Sequence, residues 1–160
     1  MIHDDLGKKA EIKIREWLDR PEDGYCFDRQ KDQMTGFYGS KNICDFTLFK
    51  SPNMYYIESK ATYNDRFDFC MISQYQSDNL FLKSQINNVY GLVIVLFATY
   101  KRAFILDIRD IKEAVDHDIK SINIKKIDKW TIRYKEIETI PNNRKQLLDY
   151  TGDWNYEAIY

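Results

Sequence analysis

Residues 91–99 read Gly-Leu-Val-Ile-Val-Leu-Phe-Ala-Thr, an unbroken apolar run with no polar alternation. A strand with one solvent face alternates, so a run of strand length that does not alternate predicts a strand covered on both faces. That requires a layered fold. Residues 102–108 predict its neighbour, joined through Tyr100 and Lys101, and residues 25–29 a further strand. Helical spacing places Leu6, Ala10, Ile14, Trp17 and Leu18 on one stripe, with Asp4 or Asp5 as N-cap and Pro21 and Gly24 beyond the end. Ser73 opens a second helix reaching Asn87 or Asn88, and residues 110–115 form a short third one with Asp110 as its cap. The order helix, three strands, helix, two strands, helix predicts an α/β fold: a mixed central β-sheet of about five strands flanked by helices.

The two missing strands lie in residues 43–49 and 54–57, separated by Lys50-Ser51-Pro52-Asn53, and read as a hairpin with a four-residue turn. Asp45 falls within the first run, and Glu58-Ser59-Lys60 closes the second. Because side chains alternate along a strand, Glu58 and Lys60 share a face while Ser59 points away. Folding the hairpin brings Asp45 toward them, so that two carboxylates and an ammonium converge. Such a set suits Mg²⁺, which takes hard oxygen ligands and keeps the rest of its shell for water and phosphate. A lysine beside it stabilises charge developing on a reacting phosphate. Glu-x-Lys alone is ordinary in a chain with 31% charged residues, where alternating charges usually mark a solvated face. An aspartate inside an apolar strand is not ordinary, being depleted there and costly to bury unpaired.

Asp45 with Glu58-Ser59-Lys60 resembles the core motif of the PD-(D/E)XK nuclease superfamily, which has a restriction-endonuclease-like core. Within it, the spacing is most similar to Holliday junction resolvases of the RecU type and their phage relatives, from about Gly7 to about Leu106. Ile43-Cys44 replaces the proline before the motif aspartate, and the C-terminal third resembles nothing identified. The resemblance implies a metal-dependent, structure-selective endonuclease. Asp45, Glu58 and the Ser59 carbonyl would hold Mg²⁺, with Mn²⁺ able to substitute, while Lys60 positions or deprotonates the attacking water. In-line attack would leave 5′-phosphate and 3′-hydroxyl ends. It also implies a role for Gln76, which stands four residues before Leu80 as in the family, and for Glu11, four residues after Gly7. On the residues alone Gln76 reads as ordinary helix surface, and only its place after the triplet balances that reading, while Glu11 reads equally as the i+4 partner of Arg15. A twofold-symmetric junction cut at two points implies a homodimer.

Composition limits the rest. The chain has 160 residues, 44% hydrophobic, enough for one real core. With only His3 and His117, histidine-dependent nucleases and catalytic triads have little to draw on, and Cys26, Cys44 and Cys70 suit small buried side chains rather than disulfides or a zinc site. No stretch has the length of a membrane span and the first residues lack signal-peptide order, so the expectation is a cytoplasmic protein, in a bacterium or a phage-infected host. The net charge of −1 is uninformative, but residues 120–145 carry eight basic residues against three acidic ones. The expected organisation is a nuclease core over 1–118 and an extension over 119–160 that packs on the core or contacts DNA or a partner subunit, with a helix at 142–149. Expected DNA contacts are Phe37 or Tyr38 by stacking, Lys41 on phosphate, and Lys125 and Lys126 from the basic segment. The alternatives are a restriction or repair endonuclease of the same superfamily, and a non-catalytic DNA-binding protein on the same scaffold.

Overall fold

The computed structural model describes residues 5–30, 42–142, 147–154 and 156. Helix α1 (Leu6–Leu18) is capped by Asp5, whose side chain accepts from the Lys8 amide. It precedes β1 (Tyr25–Arg29), β2 (Phe46–Lys50) and β3 (Asn53–Thr62). A short β4 (Arg66–Asp68) leads to α2 (Gln74–Ser84), β5 (Val89–Phe97), β6 (Arg102–Asp107) and α3 (Ile108–Asp116). Beyond these come β7 (Ser121–Asn123), β8 (Tyr134–Glu136), β9 (Thr139–Asn142) and β10 (Leu147–Tyr150). The main sheet has the order β1-β2-β3-β5-β6-β8, with β4-β7 and β9-β10 as separate pairs. β3 and β5 run parallel and the other main-sheet pairs antiparallel. The sheet is mixed, as expected, with six strands rather than five because β8, from the C-terminal part, pairs with β6.

The apolar run is buried for the anticipated reason. Leu92, Ile94 and Leu96 face a core shared with Ala10, Ile14 and Leu18 of α1, while Val93, Val95 and Phe97 face Leu80 of α2 and Ile108 and Ile111 of α3. Fully burying each such side chain stabilises by about 1.5–3 kcal/mol, so this one strand ties the two layers together. Gly91 lets α2 approach β5, since a Cβ at that position would lie 2.6 Å from the Leu80 carbonyl oxygen.

Several local expectations are corrected. Lys50 pairs with Asn53, so the β2-β3 turn has two residues, not four. The second helix stops at Ser84. The third begins at Ile108, and its cap is Asp107, which accepts from the Arg109 amide; Asp110 instead takes both arms of the Arg133 guanidinium. Of the helix expected at 142–149, the described residues are strand: Asn142 ends β9 and 147–149 belong to β10, because Leu148 and Tyr150 are drawn into the core under α1 and the chain pairs with β9. Cys44 is buried, but Cys26 and Cys70 are exposed.

The C-terminal residues are part of the same packing. Trp154 and Tyr156 are buried against Tyr55, and the Tyr156 hydroxyl donates to the Asp107 carboxylate. Arg109 closes a second contact on Asp107 at 2.7 Å, which keeps this buried charge paired.

Candidate active site

The site forms where two neighbouring strands cease to match in length. β2 begins at Phe46, opposite Ile57, but β3 continues to Thr62, where among the described residues β5 is the one strand paired with it. Asp45, immediately before β2, turns into this gap. Its amide donates to the Ile57 carbonyl at 3.0 Å, and its carboxylate Oδ2 accepts from the Ser59 amide at 2.8 Å. The side chain thus takes the ladder position that β2 leaves empty, satisfying a donor that would otherwise be orphaned. On a strand the amide and carbonyl of one residue point to the same side, so the Ser59 carbonyl also faces Asp45.

Glu58 and Lys60 project together on the α2 face, as period two requires, with Lys60 Nζ 3.0 Å from Glu58 Oε1. The Glu58 side chain is 3% exposed and that of Lys60 19%. Gln76 completes the group from the first turn of α2. Its side chain closes a capping box with Ser73 and also reaches Glu58. Burial raises the Glu58 carboxyl to about 7, the nearby Asp45 charge adding to the rise while Lys60 and Gln76 oppose it. Asp45 is raised as well, again chiefly by burial, with the Ser59 amide and the Lys60 charge pulling it back. Both carboxylates are held in a setting that disfavours their charge. A cation between them would relieve it.

The fit to a hard cation rests on one atom. Glu58 Oε2 is buried with no hydrogen-bond partner among the described residues. An unpaired buried carboxylate oxygen is costly, and a metal ion is one of the few partners that offsets the cost. Two carboxylates and a backbone carbonyl are a ligand set suited to Mg²⁺, which does not need a larger protein cage. Among the described residues no group of three or more histidine, cysteine or acidic side chains comes together.

The other expected residues are placed as follows. Glu11, on α1, meets Arg29 of β1 at 3.4 Å rather than Arg15. The Arg29 charge in turn opposes, as the smallest contribution, the rise of the Asp45 carboxyl. With Lys8, Ile12 and Arg15, Glu11 and Arg29 line a cavity of about 300 Å³. Arg29 is a residue that local pattern does not single out; its only signal is its place at the end of β1. Lys125 pairs with Asp65 at 3.4 Å and also touches Tyr100, and Lys126 is exposed beside it. Phe37, Tyr38 and Lys41 lie outside the described residues.

Two carboxylates and a lysine thus stand at the end of the β2-β3 pairing, within a mixed sheet covered by helices. The sequence model of the RecU family, Recombination protein U, matches residues 25–153. The chain belongs to that family, whose members are Holliday junction resolvases. The match runs well past Leu106, so the C-terminal part that by sequence resembled nothing identified is part of the family domain, in keeping with β8 and Trp154 being built into the fold. Among solved structures, Hjc, a Holliday junction resolvase from the archaeal hyperthermophile Archaeoglobus fulgidus, is similar with a TM-score of 0.45 and 15% identity, over 64% of this chain and 78% of that one. No curated protein matches the sequence.

Proposed function

We propose that this chain is a Mg²⁺-dependent endodeoxyribonuclease that cuts four-way DNA junctions as a homodimer, with Mn²⁺ able to replace Mg²⁺, in the cytoplasm of a bacterial or phage-infected cell. The observation that carries the reading is the buried Glu58 carboxylate, with Lys60 Nζ 3.0 Å from it and the half-buried Asp45 held on the Ser59 amide. Asp45, Glu58 and the Ser59 carbonyl would hold the ion, which when bound supplies Lewis-acid activation and neutralises charge on the phosphate. Lys60 faces the same point and offers a fixed positive charge, or a proton acceptor once neutral, to the attacking water. Gln76 orients the Glu58 carboxylate from α2, and Arg29 holds Glu11 beside the site. The Asp45 bond to the Ser59 amide fixes one carboxylate relative to the strand, so the ligand set is preorganised.

The organisation would be a nuclease core over residues 1–118, carrying Asp45, Glu58, Lys60 and Gln76, and an extension over 119–160 whose exposed Lys125 and Lys126 would meet DNA phosphates. The test is cleavage of a synthetic four-way junction beside a linear duplex of the same sequence, with and without Mg²⁺. Junction-selective, Mg²⁺-dependent cutting is expected. Equal cutting of the duplex would favour a restriction or repair nuclease, and binding without cutting a non-catalytic protein.

A further inference from the structure

Tyr63 is a large aromatic side chain left 52% exposed, three residues beyond Lys60 and just past the end of β3. An extended chain covers at most ~3.6 Å per residue, so its backbone lies within roughly 11 Å of that of Lys60. That is about three steps of 3.4 Å along one DNA strand. Its backbone is fixed rather than loose. The Thr99 hydroxyl donates to the Tyr63 carbonyl at 2.7 Å, and the Asn64 amide donates to the Thr62 hydroxyl at 3.0 Å. The half-exposed side chain therefore leaves from an anchored backbone.

Its neighbours are cationic. The register Thr62 to Phe97 sets the 3-10 turn Ala98–Tyr100 beside Tyr63, and Lys101, in the left-handed region at φ 52°, is exposed at its end. Lys125 approaches from the C-terminal part: Ile124 donates its amide to the Asp65 carbonyl, and Lys125 touches Asp65 and Tyr100 with its own side chain 63% exposed. An exposed aromatic side chain on a surface that also carries lysines is suited to binding unstacked nucleotides, the ring stacking on a base while the cations take the adjoining phosphates.

We propose that Tyr63, flanked by Lys101 and Lys125, is a stacking subsite for one unstacked nucleobase of the branched substrate, within about three nucleotides of the cleaved phosphate. The proposal rests on the reading of this chain as a junction nuclease. A continuous duplex keeps its bases stacked and offers the ring no open base face, whereas the base pairs flanking an open branch point do. Tyr63 thereby contributes to choosing a junction over a duplex, a task that phosphate contacts alone do not perform.

The experiment places 2-aminopurine singly at each of the three positions on either side of the branch point and follows its fluorescence on binding the full chain without divalent cation. Wild-type protein is expected to quench one position by stacking. Tyr63→Ala should lose that quench and lower junction affinity about 10-fold, within the range found for one stacked base, while duplex affinity stays unchanged. Tyr63→Phe, which keeps the ring, should behave as wild type. Circular dichroism melting of both variants confirms the fold. If folded Tyr63→Ala keeps both the quench and the junction-to-duplex preference, the subsite is overturned and the junction reading stands. If wild-type protein shows no preference for the junction, the junction reading falls and the subsite with it.

Discussion

The two halves of β3 share one parallel ladder with β5 yet do opposite work. Along residues 53–57 the strand is hydrogen-bonded to β2 on one edge and β5 on the other, and Tyr55 and Ile57 are fully buried. Along residues 58–62 β2 is gone, and the side chains include Glu58 and Lys60. In the first half both edges are paired and the side chains can be apolar. In the second one edge is open, so an aspartate carboxylate stands in for the missing strand and brings charge with it. The lesson is that the site depends on a mismatch of strand lengths. It places backbone donors and acceptors, a carboxylate and a lysine around one point without a dedicated loop.

The largest expected effect comes from breaking the open half. Asp45→Asn and Glu58→Gln should each lower junction cleavage on the order of 10³-fold, because an amide is a poor ligand for a hard cation, while gel-shift binding survives. Near wild-type single-turnover cutting in either variant would remove the assignment. Breaking the closed half should do the reverse. Tyr55→Ala should cost ~3–5 kcal/mol of stability by removing the ring that packs on Tyr90, Trp154 and Tyr156, seen by urea unfolding, with little change in rate per folded molecule. A comparable drop in rate would show that the halves are not separable.

Lys60→Ala tests the charge without touching the carboxylates. A fall of ~10² in single-turnover rate with unchanged junction affinity is expected, since only its placement at the reacting phosphate is special. Weak binding with intact chemistry would make Lys60 an ordinary phosphate contact.

The open half also has a pH signature. Glu58 is raised from 4.5 to about 7 in the folded protein. Between those values the unfolded chain has released a proton that the folded one keeps, so stability falls as pH rises through this window and levels off above it. Glu58→Gln removes the titration. In chelator it should therefore be more stable than wild type above pH ~7, by about 1–3 kcal/mol, with the difference fading below pH ~4.5. Added Mg²⁺ should raise the melting temperature of wild type but not of the variant. Melting curves at four or five pH values decide it; a wild-type curve flat across the window refutes the raised carboxyl.

The smallest effect concerns the basic segment. Arg133 is engaged by Asp110, whereas Lys125, Lys126 and Lys129 stand exposed on the turn Ile124–Lys129. Neutralising these three should reduce the slope of log affinity against log salt by about 2 to 3, at ~0.9 for each phosphate left without its cation. An unchanged slope with a lowered melting temperature would assign them to the fold.

What the sequence determined by itself was whatever follows from local spacing. The unbroken run at 91–99 required a layered sheet, the helical stripe of Leu6, Ala10, Ile14 and Leu18 fixed α1, and period two put Glu58 and Lys60 on one face. These need no partner from afar. Where a distant partner decides, local pattern misleads. Residues 147–150 became a strand because the core under α1 takes Leu148 and Tyr150. Asp107 rather than Asp110 caps α3, since Tyr156 and Arg109 converge on it, and Cys26 stays exposed on edge strand β1. The proposed site shows the same division. Its residue types were legible, but only the tertiary structure set the Asp45 carboxylate on the Ser59 amide, brought Gln76 and Arg29 to the carboxylates, and laid Lys125 beside Asp65. The physical reason is that hydrogen bonds and charges act through space across strands far apart in sequence, and spacing along one strand carries no record of which neighbour ends early.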